Sequence, residues 1–232
     1  MATFPLSLVV VIPVFNEHEA IESVLIEWRA ELSQRVQAYR LLVINDGSTD
    51  ATLEKLRALT WPELVIHTHS NRGHGQSCLA GYRMAADMGA EYVFQIDSDG
   101  QCEPSAFRAV WEQRGKTGAV YGRRTTRADG WSRWLVTRVL RWLLKLLLRT
   151  GLNDTNVPYR LYSASVAAEA SASVSPAFEL ANIAMALVME PKGFIEVPIH
   201  FRDRIGGHPS VKWFGFAKKA VRLLRDLKTL KK

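Results

Sequence analysis

The run Tyr92-Val93-Phe94-Gln95-Ile96-Asp97-Ser98-Asp99-Gly100-Gln101 changes character at its midpoint. Its first half is mostly apolar and rich in β-branched and aromatic residues, the composition of a strand covered on both faces. Its second half is a polar turn carrying two aspartates. A strand ending this way sets both carboxylates at its carboxyl end, the edge where ligands bind in an open parallel sheet. Two carboxylates flanking one residue project with the same sense, so both reach one cation, and Gln101 adds a neutral oxygen. Such an all-oxygen set suits Mg²⁺ or Mn²⁺ completed by diphosphate oxygens and water, and does not suit zinc. A solvated acidic turn would read the same way in isolation; the buried run before it argues for a site.

On either side of this stretch the chain alternates. Ser7–Pro13, Tyr39–Asn45, Glu63–Thr68, Glu91–Asp97 and Ala119–Gly122 read as strands, and Glu17–Glu31, Asp50–Leu59, Gln76–Met88 and Pro104–Arg114 as helices. Strand–helix alternation implies right-handed crossovers and an α/β fold with a mainly parallel central sheet and helices on both faces. After Gly122 the pattern changes. Trp131–Arg149 reads as one long helix, Tyr159–Ser163 and Phe194–Pro198 as strands, Phe178–Glu190 as a helix, and Val211–Leu230 as a basic C-terminal helix. No repeat or low-complexity linker separates the halves, so residues 1–232 are expected to form one domain, with a second half beginning at 123.

Composition agrees with a folded chain: of 232 residues, 47% are hydrophobic, enough for a sizeable core. The two cysteines, Cys78 and Cys102, lack ligand-like spacing, which argues for a reducing compartment and against structural zinc. Met1–Leu8 has no basic region ahead of an apolar one, so no secretion signal is expected there. The net charge of +7 is unevenly spread: residues 123–150 and 202–232 together carry +15, leaving −8 on the rest. Basicity confined to two segments suggests anionic partners at those places.

Other strand ends are polar as well. Strand one runs into Pro13-Val14-Phe15-Asn16-Glu17 and strand two into Asn45-Asp46-Gly47-Ser48-Thr49-Asp50. Gly47 makes a turn there, and Ser48, Thr49 or Asp50 is expected to cap the next helix, without excluding a ligand role for Asp46. Phe15, Asn16 and Glu17 have the same plain explanation at the first helix. Asn71-Arg72-Gly73-His74-Gly75 has the look of a glycine-rich phosphate loop but lacks the Walker pattern.

In order and spacing, the segments 13–17, 45–50, 71–75 and 97–101 resemble family 2 glycosyltransferases, which implies the GT-A fold. Three later segments resemble the dolichol- or polyprenyl-phosphate sugar synthase branch: Asn153-Asp154-Thr155-Asn156-Val157-Pro158-Tyr159-Arg160-Leu161, Glu196-Val197-Pro198-Ile199, and Arg202-Asp203-Arg204-Ile205-Gly206-Gly207-His208-Pro209-Ser210. The resemblance implies roles by position. Pro13, Phe15, Glu17 and Asp46 would line the nucleotide's base and ribose, with Ser98 beside them. Asp97, Asp99 and Gln101 would hold the metal and the sugar-nucleotide diphosphate. Arg204 and Ser210 would grip an acceptor phosphate. Asn45 stands where many relatives have Asp, and His208-Pro209 replaces a more usual small or charged pair.

The acceptor has its own signature. An alcohol must lose a proton as it attacks, so an inverting enzyme acting on alcohols needs a carboxylate base. The region where hydroxyl-glycosylating relatives tend to carry a Glu-Asp pair reads Ser175-Pro176-Ala177-Phe178-Glu179-Leu180-Ala181-Asn182, with one Glu; Asp154 remains a candidate base. A phosphate is already anionic and needs cations to hold it. Charges at Arg133, Arg138, Arg141, Lys145 and Arg149 interrupt Trp131–Arg149, which falls far short of the ~20 apolar residues of a span. It reads as a basic amphipathic helix for a membrane surface, and 211–230 repeats the pattern. The expected activity is inverting, metal-dependent transfer of a hexose from a GDP- or UDP-linked donor to polyprenyl phosphate, at the cytoplasmic face of a membrane. The alternative is a family 2 enzyme acting on a soluble hydroxyl or amine. Nucleic acid is not an expected partner, because no motif for it occurs and the aspartate pair would have no purpose.

Overall fold

The computed structural model describes residues 5–125, 156–175 and 181–205. Strands β1 (Leu8–Val14), β2 (Tyr39–Asn45), β3 (Leu64–Thr68), β4 (Tyr92–Ile96), β5 (Ala119–Arg124), β6 (Tyr159–Ser163) and β7 (Phe194–Ile199) form one sheet in the order β3-β2-β1-β4-β6-β5-β7. β1 pairs in parallel with both β2 and β4, and β2 with β3; β6 runs antiparallel to β4 and β5, and β7 is parallel to β5. Six strands therefore point one way and β6 points back. The α/β class and the mainly parallel sheet expected from the sequence are both present.

The helices are α1 (Ile21–Ser33), α2 (Thr52–Ala58), α3 (His74–Asp87), α4 (Phe107–Trp111), α5 (Ala164–Ala172) and α6 (Ala181–Met189). Helix α1 forms because Ile21, Val24, Leu25, Trp28 and Leu32 recur at helical spacing and are all buried. It begins four residues later than its sequence pattern suggests, because the Glu17 carbonyl closes a turn by accepting from both Ala20 N and Ile21 N. The segment expected as a helix from Pro104 to Arg114 splits into a 3₁₀ turn at Pro104–Ala106 and the short α4. Helix α5 escapes a sequence reading because it is mostly small Ala and Ser residues, with little contrast between faces. The 131–149 and 211–230 helices lie outside the described residues.

Two side-chain layers hold the helices to the sheet. On one face Trp28 of α1 meets Phe94, Phe107 and Tyr159, with ring centroids 5.5, 6.0 and 5.9 Å apart. Each such pair adds about 0.5–1.5 kcal/mol beyond area burial. On the other face Tyr82 of α3 packs against Tyr162, which packs against Tyr121, around the fully buried Arg160. Arg160 is satisfied by donating to the Val157 carbonyl at 2.6 Å, the Asn182 carbonyl at 2.7 Å and the Tyr162 hydroxyl at 3.2 Å. These bonds pin the start of β6 to helix α6.

Helix α3 approaches β1 so closely that a Cβ added at Gly81 would lie 2.2 Å from Cγ1 of the fully buried Val11. A glycine is required there by space, and its position sets the depth at which α3 sits. Gly81→Ala is expected to cost about 1–3 kcal/mol of unfolding free energy through overpacking. Urea denaturation checks this, and adding Val11→Ala should recover part of the loss; an unchanged midpoint would refute the close fit.

Candidate active site

β1 and β4 are neighbours in the sheet, yet the chain leaves β1 toward β2 on one side and reaches β4 on the other. Their paired register ends at Val11 with Gln95, so beyond it the two strands part and open a crevice at the carboxyl edge. Pro13, buried on β1, lies on this opened stretch, where the missing proline N–H takes no bond from the β4 ladder. The loops after β1, β2, β3 and β4 and the segment after β7 all end here.

The first two loops are stitched together. Asn16 adopts the left-handed conformation, with φ of 54°, and its side-chain oxygen accepts from Thr49 N at 2.8 Å while its own N–H donates to the Ser48 hydroxyl. Glu17 N donates to the Thr52 hydroxyl at 2.9 Å. Asp50 accepts from Thr52 N at 3.0 Å, so of the three expected caps Asp50 serves the start of α2, while Ser48 and Thr49 bond across to Asn16. Asp46 has a task that the sequence does not announce. Its two oxygens accept from Arg72 N at 2.7 Å and Gly73 N at 2.9 Å, latching the 71–75 loop to the end of β2.

The carboxylates gather on the β4 side. Asp97 accepts from the Gln95 side chain at 3.2 Å and has His74 Nε2 at 3.5 Å. Asp99 accepts from Gln101 N at 3.1 Å and lies 3.7 Å from Arg204 Nη1, and the same guanidinium pairs with Glu17. Ser98, between the aspartates, is buried. Phe15, at the mouth, is 42% exposed, unusual for a phenylalanine. The structure thus brings Glu17, Asp97, Asp99, Gln101 and Arg204 to one place, sets Phe15 at its rim and puts Asp46 behind the neighbouring loop. Asp154 and Ser210 lie outside the described residues.

Crowding of negative charge shows in the titration of these groups. Burial raises the Glu17 pKa from 4.5 to about 7; Arg204 opposes this, while Asp99, Asp97 and Asp50 add to it. Burial also lifts Asp97 above the usual carboxylate range, with Asp99 adding to the rise and His74, Arg124 and Arg160 offsetting part of it. Burial works against a charge on His74, but the Cys78 sulfur and Asp97 outweigh it and raise its pKa above the ordinary imidazole value. Among the described residues, no group of three or more His, Cys, Asp or Glu is arranged to hold a metal alone. Two mutually repelling carboxylates with an amide oxygen nonetheless fit a hard divalent cation that takes its remaining ligands from a bound diphosphate. Gln101 donates through Nε2 to the Arg202 carbonyl at 3.4 Å, so its Oε1 is the atom that could serve as the neutral ligand.

Two residues of this site, Gln95 and Arg124, escape a reading of the sequence, and His74 enters it only as part of the 71–75 loop. Gln95 orients Asp97 from two positions earlier on the same face of β4, a spacing that marks it in retrospect. His74 opens α3 beside Asp97. Arg124, at the carboxyl end of β5, lies with its guanidinium 4.6 Å from the Phe201 ring centroid. A cation at a strand terminus is the available signal for it.

The family model described as "Glycosyl transferase family 2" matches residues 9–168, more than half of the chain. The chain belongs to glycosyl transferase family 2. This glycosyltransferase is 26% identical over 206 residues to undecaprenyl-phosphate mannosyltransferase of Micrococcus luteus, covering 84% of this chain and 83% of the relative. It is 25% identical over 209 residues to polyprenol monophosphomannose synthase of Mycolicibacterium smegmatis, covering 84% and 77%. Against undecaprenyl-phosphate 4-deoxy-4-formamido-L-arabinose transferase of Serratia proteamaculans it is 27% identical over 158 residues, 66% of this chain; there the match spans about half of the relative, 48%. These relatives carry names of the polyprenyl-phosphate sugar synthase branch. The fold matches glucosyl-3-phosphoglycerate synthase of Mycobacterium tuberculosis at a TM-score of 0.67 and 18% identity, covering 97% of this chain and 79% of that one. Mannosyl-3-phosphoglycerate synthase of Rubrobacter xylanophilus gives 0.66 at 13%, covering 96% and 73%. Both likenesses speak for the GT-A fold alone.

The Glu17 shift has a consequence for stability. Its folded pKa of about 7 lies above its unfolded value of 4.5, so between the two the folded state binds the extra proton. This stabilisation is complete below pH 4.5 and is lost as pH rises through 7. Unfolding free energy from urea titrations should fall across that window, and Glu17→Gln should flatten the fall. An unchanged slope in the variant would overturn the assignment.

Proposed function

We propose that the enzyme transfers a hexose, with inversion, from a GDP- or UDP-linked sugar to a polyprenyl phosphate. The observation that carries this reading is the placement of Arg204 between Glu17 and Asp99, one guanidinium reaching both the donor-side carboxylates and the metal-ligand loop. Relatives named for undecaprenyl and polyprenol phosphates support it. Asp97, Asp99 and Gln101 would hold Mg²⁺ or Mn²⁺, which when bound offsets charge on the departing diphosphate. Phe15 at the mouth would stack on the base, with Pro13, Glu17, Asp46 and Ser98 shaping the nucleotide pocket. Arg204, with Ser210, would hold the acceptor phosphate. Residues 1–122 then form the donor half and 123–232 the acceptor half of one domain.

In the transfer step a phosphate oxygen attacks the anomeric carbon. The bond from that carbon to the diphosphate oxygen breaks, and its electron pair leaves with the nucleoside diphosphate. The attacking oxygen already carries negative charge at neutral pH, so no protein base has to take a proton. Asp154 would matter as a base only if the acceptor were an alcohol or amine. Aligning the two substrates is then the main work of the side chains. Among the described residues no helix is long and apolar enough to cross a membrane. The basic segments at 123–150 and 202–232 would meet the membrane surface from the cytoplasmic face.

A panel of UDP- and GDP-sugars supplied with polyprenyl phosphate and Mn²⁺ or Mg²⁺ should release nucleoside diphosphate with one donor. Asp99→Ala should lower kcat on the order of a hundredfold or more. Arg204→Ala should raise the acceptor KM roughly tenfold or more while sparing nucleotide binding. Metal-independent turnover, full activity of Asp99→Ala, or preference for a soluble acceptor would each refute the corresponding part. For the membrane, the protein should co-sediment with vesicles of anionic lipid at low salt and release as salt rises; failure to pellet at low salt counts against surface contact.

A further inference from the structure

Arg202 makes more connections at the site's edge than its sequence neighbours suggest. Its backbone N donates to the Gln101 carbonyl at 3.2 Å, and its own carbonyl accepts from the Gln101 side chain at 3.4 Å. Ile205 N donates to the Asp99 carbonyl at 2.9 Å, and Phe201 and Cys102 form an isolated antiparallel bridge. The segment 201–205 therefore runs as a short strap along residues 99–102. The Arg202 side chain then adds a link that no backbone pairing supplies: Nε donates to the Gly100 carbonyl while Nη2 pairs with Glu27 on α1.

Gly100 is the hinge of the loop that carries Asp97, Asp99 and Gln101. Its φ is +80°, and a Cβ there would lie 2.6 Å from Ile205 Cδ1, so loop and strap are closely fitted. The peptide that joins Gly100 to Gln101 is held at its N–H by the Asp99 carboxylate and at its carbonyl by Arg202, and loss of the second hold would let Gln101 swing relative to Asp99. The planar guanidinium offers two donors in a fixed fork, so one side chain holds the carbonyl and is itself held by Glu27. Glu27 touches neither the aspartates nor Gln101, and its pair with Arg202 is partly exposed at 37% and 30%. As a stabilising ion pair it contributes little. As an anchor it fixes the direction from which the Gly100 carbonyl is gripped.

We propose that Arg202, anchored by Glu27, is a positioning residue that sets the geometry of the Asp97–Gln101 loop for divalent-metal binding and aligns the strap bearing Arg204. This inference rests on the metal-dependent reading above. It adds that the metal site is supported from α1, which the sequence motifs leave out, by way of the post-β7 strap. Supports behind metal ligands typically shift metal affinity by about 10–100-fold when removed.

The test is Mn²⁺ binding, measured by electron paramagnetic resonance with UDP or GDP present, in wild type, Arg202→Ala, Glu27→Ala and the double variant. Arg202→Ala should weaken Mn²⁺ binding about tenfold and Glu27→Ala several-fold. The double variant should be no weaker than Arg202→Ala, because Glu27 acts only through Arg202. Thermal midpoints of Glu27→Ala should stay near wild type, since alanine suits a helix surface. Equal Mn²⁺ binding by all four proteins, including none by any, overturns the proposal, as do losses that add in the double variant. Turnover in the donor and acceptor panel reports separately on the proposed reaction, so the two ideas fail by different measurements.

Discussion

Everything at the site depends on β1 being hydrogen-bonded in parallel on both sides. That arrangement forces the connections from β1 and into β4 to opposite faces, so their ends diverge and leave a gap that side chains cannot close. The gap is lined by whatever follows the strands, and here that is carboxylate on one side and stitched loop on the other. The aromatic layer around Trp28 and the tyrosine layer around Arg160 keep the strands in register, and the gap keeps its width because both faces are packed.

Within the gap, electrostatics and backbone geometry are in tension. Three carboxylates, Glu17, Asp97 and Asp99, crowd together, and burial with their mutual repulsion raises the pKa of two of them. The protein meets this with guanidinium groups carried on late segments of the chain, Arg204 on the strap and Arg124 at the end of β5. Early residues thus supply negative charge and late residues the cations that answer it.

Much of this is legible in the order of the amino acids. The runs at 39–45, 92–96 and 159–163 are strands because their apolar stretches stop at polar turns, and the Asp97–Gln101 cluster stands out at the end of one of them. What the sequence withholds has specific causes. Helix α5 lacks contrast between its faces. The antiparallel direction of β6 is a tertiary choice that a five-residue run does not encode. Asp46 stands out in the sequence by its motif position, but its bonds to Arg72 and Gly73 do not, because they depend on a loop 26 residues away. The link from Arg202 to Glu27 spans 175 residues and follows no periodicity.

The reversed strand β6 has a bearing on where the chain leaves and rejoins the sheet. Because it runs against its neighbours, its first residue, Tyr159, lies beside Ile96 at the same edge where β5 ends at Arg124. The chain between them departs from and returns to one edge of the sheet, with both anchor points fixed in paired strands. The fold therefore acts as a socket, joined to that interval at two neighbouring points on one edge of the sheet.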